Sequence, residues 1–153
     1  MQKKHILTSL LLVFVAASIG TLIYKQTRPS QKQDRIKKIK GKKLLVLYFH
    51  GNKRCHTCIN MEKYTREAVN KGFPKKVANG EIEIQTINLD KSGNDHYVSD
   101  YDLSSRFVVL SFVEEGKEKQ FRRLSKVWKL ARNKEKFIDY IQDELDTFYA
   151  MNF

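Results

Sequence analysis

Two cysteines, Cys55 and Cys58, are the only thiols of this sequence, and two residues separate them. They follow closely on an apolar run, Leu44 to Phe49, and they open a stretch with helical periodicity. The unpaired N–H groups and the dipole at a helix N-terminus stabilise an anion. We therefore predict that Cys55 attacks a disulfide as the thiolate and that Cys58, one turn further on, resolves the mixed disulfide. We predict that His56 and the helix dipole set the redox potential.

This pair permits three interpretations. The first is a thiol-disulfide oxidoreductase or an electron-transfer dithiol, with a protein thiol or disulfide, or a reductase, as its partner. The second is a copper or zinc site in which both thiolates bind together with His50 or His56, although zinc usually has four ligands and the sequence has no second cysteine pair. The third is a non-catalytic adaptor subunit of a membrane redox complex.

No cofactor is predicted. The seven glycines form no Gly-x-Gly loop, and no other segment matches a flavin or nicotinamide fingerprint.

An uncharged apolar segment stands close to the N-terminus, at residues 6–24. At about 1.5 Å per residue, a helix of this length nearly matches a hydrocarbon core of about 30 Å. We predict a short basic N-tail at residues 1–5 and a transmembrane signal-anchor helix at residues 6–24. The alternative is a secretory signal that is cleaved after Ala17.

Most of the formal net charge of +12 lies in the first 43 residues, where Asp34 is the only acidic residue. The rest of the chain is nearly neutral, which argues against a nucleic-acid-binding surface. Residues 25–43 have few apolar side chains and many charges, so they predict a basic flexible linker. We predict that the domain after the linker lies on the extracytoplasmic side of the membrane, because a short basic tail before a first apolar run is a usual export signal.

Residues 44–153 predict one α/β domain, a central mixed sheet of about four strands flanked by helices. The predicted strands are Leu44–Phe49, Glu81–Leu89, Phe107–Val113 and Lys119–Leu124, the last one charged and therefore expected at a sheet edge. The predicted helices are Cys55–Lys71, His96–Leu103 and Glu135–Met151. Trp128 is predicted as a core anchor beneath the last helix.

The segment from Tyr48 to Cys58, followed by Glu62-x-Tyr64-Thr65-x-Glu67-Ala68-Val69, resembles the thioredoxin-like family labelled nitrophenyl compound nitroreductase subunit ArsF. The resemblance covers about residues 43–150. It implies a thioredoxin fold and an exported or anchored protein that works beside a reductase. The nitroreductase activity in that label has no support in these residues.

The sequence departs from ordinary thioredoxins in two ways. Thioredoxins carry a cis-proline that faces the cysteines, whereas Arg106 or Phe107 falls at that place here. They also carry a buried acidic residue in the first core strand, whereas Leu44 to Arg54 contains no carboxylate. Proton transfer would then depend on His56, His50, the Tyr48 hydroxyl or water.

Overall fold

Strand β1 (Lys42–His50) lies inside a four-stranded sheet in the computed structural model, which describes residues 10–21 and 35–153. Its whole apolar run is buried. Successive side chains of a strand point to opposite faces of the sheet, so an uninterrupted apolar run needs cover on both faces. The two apolar clusters of the domain share the run alternately: Leu44, Val46 and Tyr48 on one face, and Leu45, Leu47 and Phe49 on the other.

The sheet has the strand order β2-β1-β3-β4, in which β2 is Ile82–Asn88, β3 is Val108–Glu114 and β4 is Lys117–Leu124. Strand β2 pairs with β1 in parallel, while β3 pairs with β1 and with β4 in antiparallel register. This mixed sheet, with helices on its faces, confirms the predicted thioredoxin-like α/β fold.

Two long helices cover one face of the sheet. They are α1 (His56–Gly72) and α5 (Lys134–Ala150), and their apolar stripes join the larger cluster. The side chain of Gln142 on α5 donates a hydrogen bond of 2.9 Å to the carbonyl of Ala68 on α1. The other face is covered by the smaller cluster, which includes Tyr97 and Tyr101 from and just after the short helix α3 (His96–Asp100).

Two short helices were not predicted. Helix α1 ends at Gly72 as expected, but Pro74 begins a new helix, α2 (Pro74–Ala78). Proline is well tolerated at the first position of a helix because the N–H group that it lacks has no partner there. Helix α4 (Val127–Leu130) is a single turn, which is too short to show a periodic pattern in the sequence.

Strands β3 and β4 are joined by a tight turn at Glu115 and Gly116. Both residues have positive φ values, 47° and 72°, as a two-residue hairpin turn matched to the strand twist requires. The charged strand β4 occupies an edge of the sheet, as predicted.

The structure describes the predicted linker, residues 25–43, only from Arg35 onwards. This last part packs on the domain. Ile36 is buried in the smaller cluster. Gly41 exchanges two hydrogen bonds with Glu115 of the hairpin turn, at 2.9 and 3.0 Å. Ordered packing therefore begins before residue 44.

The predicted N-tail, residues 1–5, lies outside the described residues, as do both ends of the predicted transmembrane helix, residues 6–9 and 22–24. Residues 10–21 are helical. Within residues 10–21 and 35–153, none of the helices combines the length and the apolar character needed to cross a membrane.

We expect Ile36→Ala to lower the free energy of unfolding by about 2–3 kcal/mol, because it opens a cavity in the smaller cluster. Urea unfolding of the purified domain measures this difference. The control is Lys38→Ala, a change of an exposed side chain two residues away that should alter stability by no more than about 0.5 kcal/mol. Equal stability of the two variants would show that Ile36 does not contribute to the core.

Candidate functional site

Cys55 and Cys58 form a disulfide at the N-terminus of α1, with their Cα atoms 5.1 Å apart. Cys55 is the N-cap residue of this helix, and its sulfur accepts a hydrogen bond of 3.2 Å from the N–H group of Cys58. The two sulfurs differ in access, since Cys55 is an exposed residue and Cys58 is only 3% exposed. An attacking thiol from outside can therefore reach Cys55 far more easily than Cys58.

The loop between β1 and α1 is fixed by the end of β2. The N–H group of Asn52 donates to Asp90 Oδ2 at 2.7 Å, and the Asn88 side chain donates to Asn52 Oδ1 at 2.8 Å. The N–H group of Leu89 donates to the His50 carbonyl at 2.7 Å. Because β1 and β2 run parallel, their carboxyl ends meet here, and the loop that carries Cys55 has a defined path.

Tyr48 connects the buried strand to the disulfide. Its hydroxyl donates a hydrogen bond of 2.6 Å to the carbonyl of Cys58, and its side chain is fully buried. Burial raises the pKa of Tyr48 to about 12, and the positive charges of Arg54 and Arg106 partly oppose this rise. The hydroxyl therefore stays protonated and acts as a hydrogen-bond donor at neutral pH.

A polar network that the sequence analysis missed supports the first turns of α1. The Glu62 side chain on α1 is only 18% exposed and forms an ion pair with Arg54. Thr86 on β2 donates to Glu62 at 3.0 Å and accepts from Arg66 at 2.6 Å. The spacing of Glu62 and Arg66, four residues apart on one helix, was the available signal for part of this network.

A second group, at the loop between β1 and α1, consists of Gly51, Asp90 and Arg106. A Cβ atom on Gly51 would stand 2.9 Å from Arg106 Nη2 and 2.9 Å from Asp90 Oδ2, so both side chains lie against this glycine. The carbonyl of Arg106 accepts a hydrogen bond of 2.8 Å from the indole of Trp128. The prediction that Trp128 is a core anchor was wrong, because its side chain is 37% exposed and holds the Arg106 loop from the surface.

The loop around Arg106 contains no proline. Among the described residues there is no cis peptide bond. Arg106 and Phe107 are both half-buried, and the Phe107 carbonyl accepts a hydrogen bond of 2.9 Å from the N–H group of Phe49.

The two histidines near the pair have partners of their own. His50 Nδ1 lies 2.9 Å from the Gly51 carbonyl, and His56 Nδ1 lies 3.3 Å from the Asn60 side-chain amide. His56 is exposed on the first turn of α1. In the part of the chain that the structure describes, no three or more His, Cys, Asp or Glu side chains are grouped so that they could hold a metal ion.

No protein-family model matches the chain. No curated protein matches it either.

Solved structures with a similar arrangement include thioredoxin domains. The first two thioredoxin domains of Naumovozyma dairenensis Eps1p share 14% identity over 71% of this chain, which spans 36% of that chain, with a TM-score of 0.42. Fasciola hepatica thioredoxin shares 21% identity over 80% of this chain and 93% of its own, with a TM-score of 0.36. Arabidopsis thaliana thioredoxin O2 in its oxidised state shares 20% identity over 62% of this chain and 75% of its own, with a TM-score of 0.37.

We expect Tyr48→Phe to lower the free energy of unfolding by about 1 kcal/mol at pH 7, because a buried hydrogen bond to Cys58 is lost. The difference from the wild type should shrink as pH rises from 10 to 12. Since the pKa of Tyr48 is higher in the folded protein (about 12) than in the unfolded chain (about 10), its contribution is complete below pH 10 and is lost above it.

Urea unfolding at several pH values measures this effect, with Tyr64→Phe as the matched control. Tyr64 is a half-buried tyrosine on α1 for which the structure gives no hydrogen bond of the hydroxyl. A Tyr48→Phe curve that runs parallel to the wild-type curve from pH 8 to pH 12 would contradict the assignment.

Proposed function

We propose that this protein is a membrane-anchored, thioredoxin-like thiol-disulfide oxidoreductase in which Cys55 exchanges with the partner and Cys58 resolves. One observation carries the proposal: an exposed cysteine, at the N-terminus of a helix, is disulfide-bonded to a buried one. The N–H group of Cys58 and the helix dipole stabilise negative charge on Cys55 when the disulfide is open.

The reaction is a pair of exchanges. The Cys55 thiolate of the reduced protein attacks a partner disulfide, forms a mixed disulfide and releases one partner thiolate. Cys58, as the thiolate, then attacks the Cys55 sulfur, re-forms the internal disulfide and releases the second partner thiolate. Two electrons pass to the partner and the two thiol protons pass to the released thiolates, directly or through solvent. The same steps run in reverse when the partner is the reductant.

We assign the proton-transfer groups by their hydrogen bonds and their exposure to solvent. The Tyr48 hydroxyl is engaged with the Cys58 carbonyl, so it holds the backbone of the pair in place and does not transfer the proton. His56 is exposed beside Cys55, and together with solvent it is the group we assign to proton exchange. In this proposal His56 keeps the catalytic role predicted from the sequence, and Tyr48 has a positioning role.

We expect Cys55→Ser to abolish reduction of a model disulfide, and Cys58→Ser to accumulate a stable mixed disulfide with it, because no second thiol remains to resolve the first. Mass spectrometry of the intact protein and a turnover assay with a chemical reductant detect both results. Thr57→Ser serves as the control, because it changes the same turn and keeps both thiols and His56. Turnover by Cys55→Ser equal to that of the wild type would overturn the proposal.

Membrane anchoring is part of the proposal. It is supported by the uncharged run at residues 6–24 and by the helix at residues 10–21, whose large apolar side chains are exposed. A contiguous apolar surface of this kind favours an apolar environment. We place the domain on the extracytoplasmic side, where disulfides persist. The partner is a protein thiol or disulfide, or a reductase, in keeping with the resemblance to the ArsF-labelled family.

We expect a membrane-impermeant maleimide to label reduced Cys55 in intact cells, because the domain faces outward. The full chain should stay with the membrane after alkaline carbonate extraction, and a variant that lacks residues 1–24 should not. Cys55→Ser is the control that identifies the labelled thiol. Labelling that requires cell lysis would place the domain in the cytoplasm, and release of the full chain by carbonate would remove the anchor.

A further inference from the structure

A groove of about 270 Å³ opens at the loop between β1 and α1. Gly51, Asp90, Asp95, Val98 and Arg106 are among the residues that line it. Gly51 belongs to the loop that leads from β1 to Cys55. The Arg106 charge acts on the Tyr48 hydroxyl, which donates to the Cys58 carbonyl, so the groove and the disulfide lie at the same end of the sheet. The groove combines an apolar surface, at Val98, with charged groups of both signs.

Arg106 is the charged group that lacks a partner. Its guanidinium forms no hydrogen bond and no ion pair with residues 10–21 or 35–153, although the residue is half-buried. Its backbone is held through the Trp128 indole, and its side chain lies against Gly51. By contrast, Arg54, the other guanidinium near the pair, already forms an ion pair with Glu62. A half-buried guanidinium without a partner favours an anion, and its planar fork matches a carboxylate.

The carboxylates of the groove restrict where an anion can bind. Asp90 lies against the same glycine, but it does not form an ion pair with Arg106, and its Oδ2 accepts the hydrogen bond from the N–H group of Asn52. Asp95 is exposed. An anionic group is therefore stabilised only where it reaches the guanidinium and stays clear of these two carboxylates, so the position of the charge on a substrate matters.

We propose that Arg106 determines substrate specificity by binding a carboxylate that lies close to the reacting sulfur of the disulfide substrate. This inference rests on the proposed function, and the exchange at Cys55 and Cys58 proceeds as written above. Two sources supply this chemistry: a small disulfide with its own carboxylate, or an acidic side chain next to a cysteine in a polypeptide.

Three small disulfides of different charge provide the test. Reduced protein is mixed with dithiodipropionate, which is anionic, with bis(2-hydroxyethyl) disulfide, which is neutral, or with cystamine, which is cationic, and the second-order rate constants are measured. We expect Arg106→Gln to lower the anionic-to-neutral rate ratio about tenfold or more, as loss of a hydrogen bond to a charged group implies. Arg106→Lys should restore part of the ratio, because it keeps the charge without the fork.

The matched control is Arg132→Gln, at an exposed arginine that does not line the groove. It should keep the wild-type ratio. A ratio in Arg106→Gln equal to that of the wild type would overturn the inference. Reduction of the neutral disulfide by the wild type tests the proposed function separately. If only the specificity proposal is wrong, the neutral disulfide is still reduced but the rate ratio does not depend on Arg106.

Gly51→Ala provides a second, independent test. The added Cβ would stand 2.9 Å from the ends of the Arg106 and Asp90 side chains, and these flexible ends must move away. We expect the anionic-to-neutral ratio to fall towards that of Arg106→Gln, while urea unfolding shows a folded protein. An unchanged ratio in a folded Gly51→Ala variant would count against the proposal.

Two peptide disulfides identify the source. They differ by Asp or Asn beside the cysteine. A preference for Asp that disappears in Arg106→Gln indicates a polypeptide substrate. No preference among the peptides, with the small-disulfide preference retained, indicates a small substrate.

Discussion

The uninterrupted apolar run of β1 is the constraint on which the rest of this structure depends. Six side chains that alternate between two faces cannot be buried by a single layer, so helices and loops must cover both sides of the sheet. The same strand ends at the disulfide. Near the end of this strand, the buried Tyr48 donates a hydrogen bond to the carbonyl of Cys58. The packing of the core therefore helps to position the two cysteines.

The sequence was sufficient to predict the elements with strong local patterns. The short apolar run of β1, the helical stripe after Cys55 and the charged strand β4 after a turn each carry a local signal for one kind of structure. Helices α2 and α4 were not predicted because, at five and four residues, they are too short to show a helical pattern. The burial of Ile36 was not predicted for another reason: two apolar residues among lysines, Ile36 and Ile39, are too few to show a periodic signal, and the cluster that buries Ile36 includes residues far along the chain, such as Val109.

The candidate site was predictable only in part for the same physical reason. The spacing of two cysteines is a local pattern, and its place after a buried strand gives it meaning. The contacts of Glu62, Gly51 and Arg106 join segments that are far apart in the chain, and each of these residues alone is typical of a surface helix or loop. Trp128 was predicted in the core, but its indole N–H group donates a hydrogen bond to the Arg106 carbonyl at the surface.

The hairpin turn that meets Gly41 fixes the chain just before β1. Gly41 lies at the amino end of β1, and the disulfide lies beyond its carboxyl end. A strand of nine residues is about 30 Å long. The disulfide is thus set off from Gly41 by the full length of β1, so a protein that approaches the sulfurs meets the end of the sheet opposite the hairpin turn.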